Sequence, residues 1–109
     1  MELISVVVIC YNAETTITET LESVKRQTYP NIELVISDDC SKDSTVDITK
    51  EWIERNKERF SNTRLLNSKK NKGVVANCNR GIGAAKGIYI QCVAGDDRLP
   101  HGKRTILYL

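Results

Sequence analysis

Apolar and polar positions along the chain follow two patterns, one typical of buried strands and the other of amphipathic helices. Short apolar runs without helical spacing occur at Ile4–Cys10, Ile32–Ile36, the weaker Arg64–Leu66, and Ile88–Val93. The first run is β-branched and apolar apart from Ser5, as in a strand that is buried on both faces of a parallel sheet. The runs therefore predict a parallel sheet.

The segments between these runs have apolar residues at helical spacing. The predicted inner stripes are Ile17, Leu21 and Val24; then Ile48, Trp52 and Ile53; then Val75, Cys78, Ile82 and Ala85. The candidate boundaries are Asn12 for the first helix, Ser41, Asp43 or Ser44 for the second, Gly73 and Gly87 for the third, and Pro100 for a fourth. With right-handed crossovers, the order β-α-β-α-β-α-β predicts an α/β fold with a doubly wound, mostly parallel, Rossmann-like sheet.

Length and charge exclude several classes of protein. The chain has 109 residues, which suffice for one domain, and its net charge of +2 is too small to indicate nucleic acid or a membrane surface as a partner. Its composition, 40% apolar and 28% charged, is that of a globular protein. No apolar run approaches the ~20 residues of a membrane span, and no signal-peptide pattern is visible before the first predicted strand. We expect a cytoplasmic domain.

The cysteines argue against a zinc site. Cys10, Cys40, Cys78 and Cys92 are widely spaced, and His101 is the one histidine. Most of these cysteines lie in or beside apolar runs, which favours buried free thiols in a reducing cytosol. A disulfide between Cys10 and Cys40, at neighbouring strand ends, is a minor alternative.

Two aspartate pairs carry the candidate chemistry. Asp38 and Asp39 follow the second predicted strand, and Asp96 and Asp97 follow the fourth. Ligands of open α/β sheets bind beyond the carboxyl ends of the strands, and adjacent carboxylates repel each other unless donors or cations meet them. One aspartate would suffice as a helix cap, so the second needs another partner, such as a base edge or a ribose hydroxyl. The pairs predict a metal-assisted site for a polyoxygenated ligand such as a sugar nucleotide.

Other motifs narrow the range of possible ligands. Gly95-Asp96-Asp97 offers hard oxygen ligands for Mg²⁺ or Mn²⁺, although a solvated turn would have the same composition. Asn71-Lys72-Gly73 precedes a predicted helix, where a phosphate could bind. Walker and dinucleotide-binding glycine motifs are missing, as is a complete calcium loop. Tyr11 either stacks on a base or is an aromatic residue at the edge of the core.

The ordered motifs resemble those of family-2 inverting glycosyltransferases. Ser5 to Asn12 resemble the opening strand of that family, and the segments that begin at Ser23 and Glu33 resemble its S-x-x-x-Q-T-Y and E-x-I-x-V-D-D-G-S-x-D-x-T motifs. The match continues in order through Asn71-x-Gly73, Asn79-x-Gly81, Ala85-x-Gly87-x-Tyr89-Ile90 and Asp96-Asp97-x-x-x-Pro100. It covers nearly the whole chain.

The resemblance implies that residues 1–109 are the nucleotide-sugar-binding portion of a glycosyltransferase A fold. Asp39 would bind the base edge, typically of uracil, in a pocket lined by Tyr11 and the backbone near Ile9, with Asp38 secondary. Asp96 and Asp97 would divide contacts to the ribose and to Mn²⁺ or Mg²⁺ between them. Asn71 is a further donor-binding candidate, beside the predicted phosphate position.

Several positions depart from the pattern of the family. Ala94 stands where most relatives have an aspartate, and Cys78 where many have an arginine. Cys40 replaces a glycine, which predicts a turn without a positive φ. The catalytic base of the family lies further along the chain, and residues 105–109 begin an apolar helical pattern, so we expect a truncated domain that binds donor.

Two other classes of protein share parts of this pattern. A phospho-accepting receiver domain also has Mg²⁺ and acidic residues at strand ends, but its acid pair should follow the first strand, which here ends in Cys10-Tyr11-Asn12. A non-catalytic nucleotide-binding domain on the same fold is the other alternative.

Overall fold

The protein forms an α/β domain in which a four-stranded parallel sheet carries helices on both faces. The computed structural model describes residues 1–96, so the predictions for Asp97 and for a helix at Pro100 lie outside the described residues. The strands are β1 (Ile4–Cys10), β2 (Ile32–Asp38), β3 (Asn62–Asn67) and β4 (Tyr89–Ala94). The helices are α1 (Ile17–Lys25), α2 (Thr45–Asn56) and α3 (Val74–Ala84), with a 3₁₀ turn at Lys57–Arg59.

The strand order β3-β2-β1-β4 confirms the predicted fold class. β1 lies at the centre and pairs in parallel with both β2 and β4, so that Val7 lies between Val35 and Cys92. Because β1, β2 and β4 are parallel, their carboxyl ends meet at one edge of the sheet, and the crossovers that lead to β2 and to β4 lie on opposite faces.

The main hydrophobic core lies between the sheet and the helices α1 and α2. Val6, Val8, Leu34 and Ile36 on this face are fully buried. The predicted stripe of α1, Ile17, Leu21 and Val24, is also fully buried, and in α2 Trp52 is buried while Ile48 and Ile53 pack partly against the core. Hydrophobic spacing therefore identified the inner faces of α1 and α2 correctly.

The predicted inner stripe of α3 was wrong. Val75 is 74% exposed and Ile82 is 37% exposed, whereas the buried residues of the helix are Asn77 and Gly81. A Cβ atom at Gly81 would lie 2.5 Å from Cγ1 of Val7, so the helix contacts the sheet by close backbone approach rather than through a row of large apolar side chains. Hydrophobic periodicity cannot detect such a contact.

Three local predictions also differ from the structure. Asn12 does not cap α1, whose N-cap is Thr16. α3 ends at Ala84 rather than at Gly87, and a Cβ atom at Gly87 would lie 2.6 Å from the backbone nitrogen of Ser5, so this glycine permits close packing before β4. The prediction that the turn at Cys40 avoids a positive φ was wrong, because φ of Cys40 is +63° although the residue is not a glycine.

The close approach of α3 predicts opposite effects for two glycines of the same helix. Gly81→Ala should destabilise the protein by about 1–3 kcal/mol, because its new methyl group would meet Val7 and Ser37. Gly83→Ala should stabilise it by about 0.5–1 kcal/mol, because the space there is open and alanine favours helix. Urea unfolding of both variants measures the difference. Equal effects would contradict the proposed packing.

Candidate functional site

The turns after β1 and β2 are joined by hydrogen bonds between side chains and backbone. Ser41 Oγ and Thr45 Oγ1 accept from the backbone N–H groups of Asn12 and Ala13, each at 2.8 Å. In return, Asn12 Oδ1 accepts from the N–H of Lys42 at 2.8 Å. These bonds satisfy donors in two loops that lack strand or helix partners, and they fix the loops beside each other at the carboxyl edge of the sheet.

Asp38 belongs to this framework. Its side chain is fully buried; Oδ2 accepts from the N–H of Ser41 at 2.8 Å and Oδ1 from the Ser41 hydroxyl at 2.5 Å. The Cys10 thiol lies 3.4 Å from Oδ1 as a further donor. The hydrogen bonds that meet this carboxylate therefore come from the protein, and its local role is to close the turn after β2.

Asp39 joins the end of β2 to the start of α3. Oδ1 accepts from the N–H of Lys72 at 2.8 Å, and Oδ2 accepts from the N–H of Gly73 at 2.9 Å. The predicted anion position at the start of α3 is therefore occupied by this carboxylate, where the helix dipole also favours negative charge. Each oxygen keeps lone-pair capacity for another donor.

Asn77 and Arg80 complete the same junction, and the sequence analysis did not identify either of them. Asn77 Nδ2 donates to the carbonyl oxygens of Ser37 at 2.9 Å and Cys10 at 3.3 Å, and so bridges the ends of β2 and β1. Arg80 donates from one amino group to the Asp38 carbonyl at 2.7 Å and to Asn77 Oδ1 at 2.8 Å. The one sequence signal was that both are polar residues, at positions 77 and 80, on a helix expected to be apolar on its inner face.

Asp96 is positioned by the glycine before it. The carbonyl of Gly95 accepts from the hydroxyls of Thr16 at 3.0 Å and Thr20 at 2.9 Å, and its N–H donates to the carbonyl of Ile9 at 2.8 Å. A Cβ atom at Gly95 would lie 2.7 Å from Cβ of Cys10, so a larger residue would not fit there. The exposed Asp96 is thus held at the end of β4, next to the end of β1.

These strand ends enclose a cavity of about 490 Å³, whose lining includes Ile9, Tyr11, Asp39 and Asp96. Four of the predicted ligand residues therefore meet in one place. Asp38 and Asn71 do not line the cavity: Asp38 is bonded within its turn, and Asn71 is an exposed residue whose Oδ1 accepts from the N–H of Gly73 at 3.2 Å. Tyr11 is 44% exposed, which leaves much of its ring free for a ligand.

The pKa values of the Cys10 thiol and the Asp43 carboxyl group are both shifted. Burial, and then the neighbouring Asp38 carboxylate, raises the pKa of the Cys10 thiol, so Cys10 is an inert part of the cavity wall. For Asp43, slight burial raises the pKa, but hydrogen bonds from the hydroxyl and N–H of Thr45 lower it, and the net shift is downward. Asp43 therefore stabilises its turn above the ordinary aspartate pKa and loses that contribution as pH falls through its folded-state pKa.

All four cysteines are free thiols, so the alternative of a disulfide between Cys10 and Cys40 was wrong. Cys10 alone is buried, whereas Cys40 and Cys78 are half-buried and Cys92 is exposed. Within residues 1–96, no three His, Cys, Asp or Glu side chains cluster as a metal site. Of the two carboxylates that line the cavity, Asp39 is buried and Asp96 is exposed. In the same part of the chain, the helices are too short and too polar to cross a membrane.

Residues 5–107 match the sequence family described as Glycosyl transferase family 2. The chain belongs to that family, which confirms the resemblance seen in its motifs. Among curated relatives, it is 38% identical over 99 residues to UDP-Glc:alpha-D-GlcNAc-diphosphoundecaprenol beta-1,3-glucosyltransferase WfaP from Escherichia coli, covering 89% of this chain and 36% of WfaP. The chain spans about a third of the length of the curated relatives it matches.

Two solved structures have the same fold as this chain. The chain is 30% identical to S. aureus TarS 1-349 in complex with UDP-GlcNAc, with a TM-score of 0.81, covering 97% of this chain and 29% of that one. It is 25% identical to the mannosyltransferase PcManGT from Pyrobaculum calidifontis in complex with GDP-Man and Mn²⁺, with a TM-score of 0.82, covering 89% of this chain and 28% of that one.

We expect substitutions of the two cavity-lining aspartates, Asp39 and Asp96, to differ in their effect on the free energy of unfolding. Asp39→Asn should destabilise the protein by about 1–3 kcal/mol, because an amide NH₂ would face the backbone N–H group of Lys72 or Gly73. Asp96→Asn should change the free energy of unfolding by less than about 0.5 kcal/mol, because Asp96 is exposed. Urea unfolding compares the two variants, and equal stabilities would contradict the structural role of Asp39.

Proposed function

We propose that this chain forms the donor-binding part of a glycosyltransferase that transfers a sugar from a nucleoside-diphosphate sugar to an acceptor hydroxyl. The observation that carries the proposal is the convergence of Tyr11, Asp39 and Asp96 on one cavity at the carboxyl ends of β1, β2 and β4. Membership of the family and the UDP-GlcNAc complex of TarS support a nucleotide sugar as the ligand.

The nucleoside would bind at the inner end of the cavity. Asp39 is 4% exposed, and with both oxygens already bonded to backbone N–H groups its carboxylate is held in one orientation. A base that presents an N–H group, such as uracil, would complete its hydrogen bonds. Tyr11 offers an aromatic face for stacking, a contact that needs no particular base and is worth about 1–3 kcal/mol.

The diphosphate would lie toward Asp96, where a divalent cation fits the chemistry of the residues. Mg²⁺ and Mn²⁺ accept one or two carboxylates and complete their coordination with phosphate oxygens. Asp96 would supply one ligand, and Asp97 is predicted to supply another. Such a cation would stabilise the negative charge of the departing diphosphate.

The full reaction is proposed for the whole protein. The acceptor oxygen would form a bond to the anomeric carbon as the bond to the diphosphate breaks, with inversion, and a general base would take the acceptor proton. That base is proposed to lie further along the chain than these residues, as the resemblance to the family implies. The part that residues 1–96 can perform is to bind and orient the donor.

The proposed base site predicts that Tyr11 contributes to nucleotide affinity. Tyr11→Ala should weaken UDP binding about tenfold, because it removes a stacking surface. Tyr89→Ala is the matched control: Tyr89 is 45% exposed, compared with 44% for Tyr11, but it lies at the opposite end of the sheet. Calorimetric titration with UDP measures the affinity of each variant. Equal affinities for the two variants would contradict the assignment of the base site.

The proposed cation site predicts that Mn²⁺ strengthens UDP binding. Asp96→Ala combined with Asp97→Ala should remove this enhancement and leave metal-free affinity nearly unchanged, because both carboxylates are proposed to act through the cation. Titrations with Mn²⁺ and with a chelator measure the difference, and Asp47→Ala, on the exposed side of α2, is the control. An enhancement that survives the double substitution would refute this cation site.

A further inference from the structure

Basic and acidic residues are unevenly distributed along the chain. Residues 59–95, which contain β3, α3 and β4, include seven lysines and arginines and not one aspartate or glutamate. The seven are Arg59, Arg64, Lys69, Lys70, Lys72, Arg80 and Lys86. The net charge of +2 averages over this asymmetry, so a charged partner is indicated by a local surface rather than by the overall charge.

The loop before α3 concentrates three of these charges. Lys69, Lys70 and Lys72 lie between the end of β3 and the start of α3, and all three are exposed. The ion pairs described within residues 1–96 involve none of these lysines. Asp38 and Asp39, at the end of the neighbouring strand β2, are buried and accept hydrogen bonds from the protein. The loop therefore presents positive charge to solvent.

The backbone of this loop is fixed although its lysine side chains are exposed. The N–H of Ser68 donates to the carbonyl of Asp38 at 2.9 Å, and the hydroxyl of Ser68 donates to the carbonyl of Lys70 at 2.7 Å. The two bonds to the Asp39 carboxylate hold the other end of the loop. A fixed backbone keeps the three ammonium groups together, so they can act on one partner surface.

Exposed aliphatic side chains adjoin the lysines. Val74 is 76% exposed, Val75 is 74% exposed and Ile82 is 37% exposed, all on α3. Val75 and Ile82 are seven residues apart, so they lie on the same side of the helix, whereas Asn77 and Gly81 are its buried residues. Exposed β-branched residues gain little from packing and have low helix propensity. Folding of the domain therefore does not explain these side chains.

We infer that the loop of residues 68–73 and the outer side of α3 form a surface that binds an anionic lipid bilayer. The lysines contact the phosphates of the headgroups, and each lysine strengthens binding about fivefold. Val75 and Ile82 enter the boundary between headgroups and acyl chains, as the apolar side of an interfacial helix does. The attachment is peripheral, because no helix within residues 1–96 can cross a membrane.

A nucleic acid is the other polyanion that exposed lysines attract. Proteins that bind single strands add aromatic side chains on which the bases stack, and residues 68–86 contain no aromatic residue. Contacts to phosphates also give no role to exposed valines. The combination of lysines with aliphatic side chains therefore favours lipid.

Flotation with vesicles tests the surface. The 109-residue chain is mixed with vesicles of equimolar phosphatidylcholine and phosphatidylglycerol, and a density gradient separates bound protein from unbound protein and from aggregates. We expect binding to be at least about tenfold weaker with phosphatidylcholine alone. It should also weaken between about 0.1 M and 1 M salt, as the Debye length falls from about 10 Å to 3 Å. No binding, or equal binding to neutral vesicles, would overturn the inference, as would binding only to a single-stranded oligonucleotide.

Paired lysine substitutions locate the surface. Lys69→Gln combined with Lys70→Gln should weaken vesicle binding about tenfold or more and flatten its salt dependence. The control combines Lys50→Gln in α2 with Lys57→Gln in the turn that follows, which removes the same charge from the other face of the sheet. The control should change binding less than about twofold. Equal losses in the two variants would show that overall charge, and not this loop, causes binding.

Val75→Thr tests the aliphatic part of the surface. The substitution keeps a β-branched side chain at an exposed position, so the variant is expected to fold. It should weaken vesicle binding about threefold, because less apolar surface leaves water, and it should leave the salt dependence unchanged. The apolar residues 105–109 are present in every variant, so differences between variants report the loop and α3. Unchanged affinity would refute insertion of Val75.

Membrane binding and nucleotide binding can be measured separately. Lys69 and Lys70 do not line the cavity, so their double substitution should leave UDP affinity unchanged. Val74 lines the cavity at the start of α3, so attachment through this surface holds the cavity next to the bilayer. If the chain does not bind UDP, the proposed function fails while flotation still decides the lipid surface.

Discussion

The pair of hydrogen bonds that the Asp39 carboxylate accepts from Lys72 and Gly73 determines how the carboxyl edge of the sheet is built. These bonds attach the start of α3 to the end of β2, and a carboxylate at a helix N-terminus also gains from the helix dipole. Asn77, one turn into α3, bonds to the ends of β1 and β2. The position of the helix is thus set by polar contacts at its start and by the close approach of Gly81 further along.

The adjacent aspartates at the end of β2, Asp38 and Asp39, make hydrogen bonds on opposite sides of the sheet. Successive residues of a strand point to opposite faces, so Asp38 turns toward Cys10 and Ser41 while Asp39 turns toward α3. Their mutual repulsion is offset because each carboxylate has its own donors. Asp38 stabilises the turn, and Asp39 connects two elements and also faces the cavity.

The sequence predicted the sheet, the order of its elements and the faces of α1 and α2, because large β-branched and aliphatic residues mark buried positions. It also predicted that Tyr11, Asp39 and Asp96 would share one edge, because parallel strands end together. It failed for α3, where burial of Asn77 and Gly81 depends on hydrogen bonds and on the absence of a side chain. The contribution of Arg80 likewise depends on carbonyl groups whose positions no residue pattern reveals.

The conformation of the loop before α3 determines the orientation of the Asp39 carboxylate in the cavity. Two of the approximately four lone-pair positions of a carboxylate are used by backbone N–H groups, and a ligand N–H would engage a remaining one. A ligand bound there meets an acceptor whose orientation has been fixed in advance, which reduces the ordering cost of binding. The same arrangement means that any movement of Lys72 and Gly73 moves or frees the acceptor. The geometry of the candidate base site is therefore inseparable from the packing of α3.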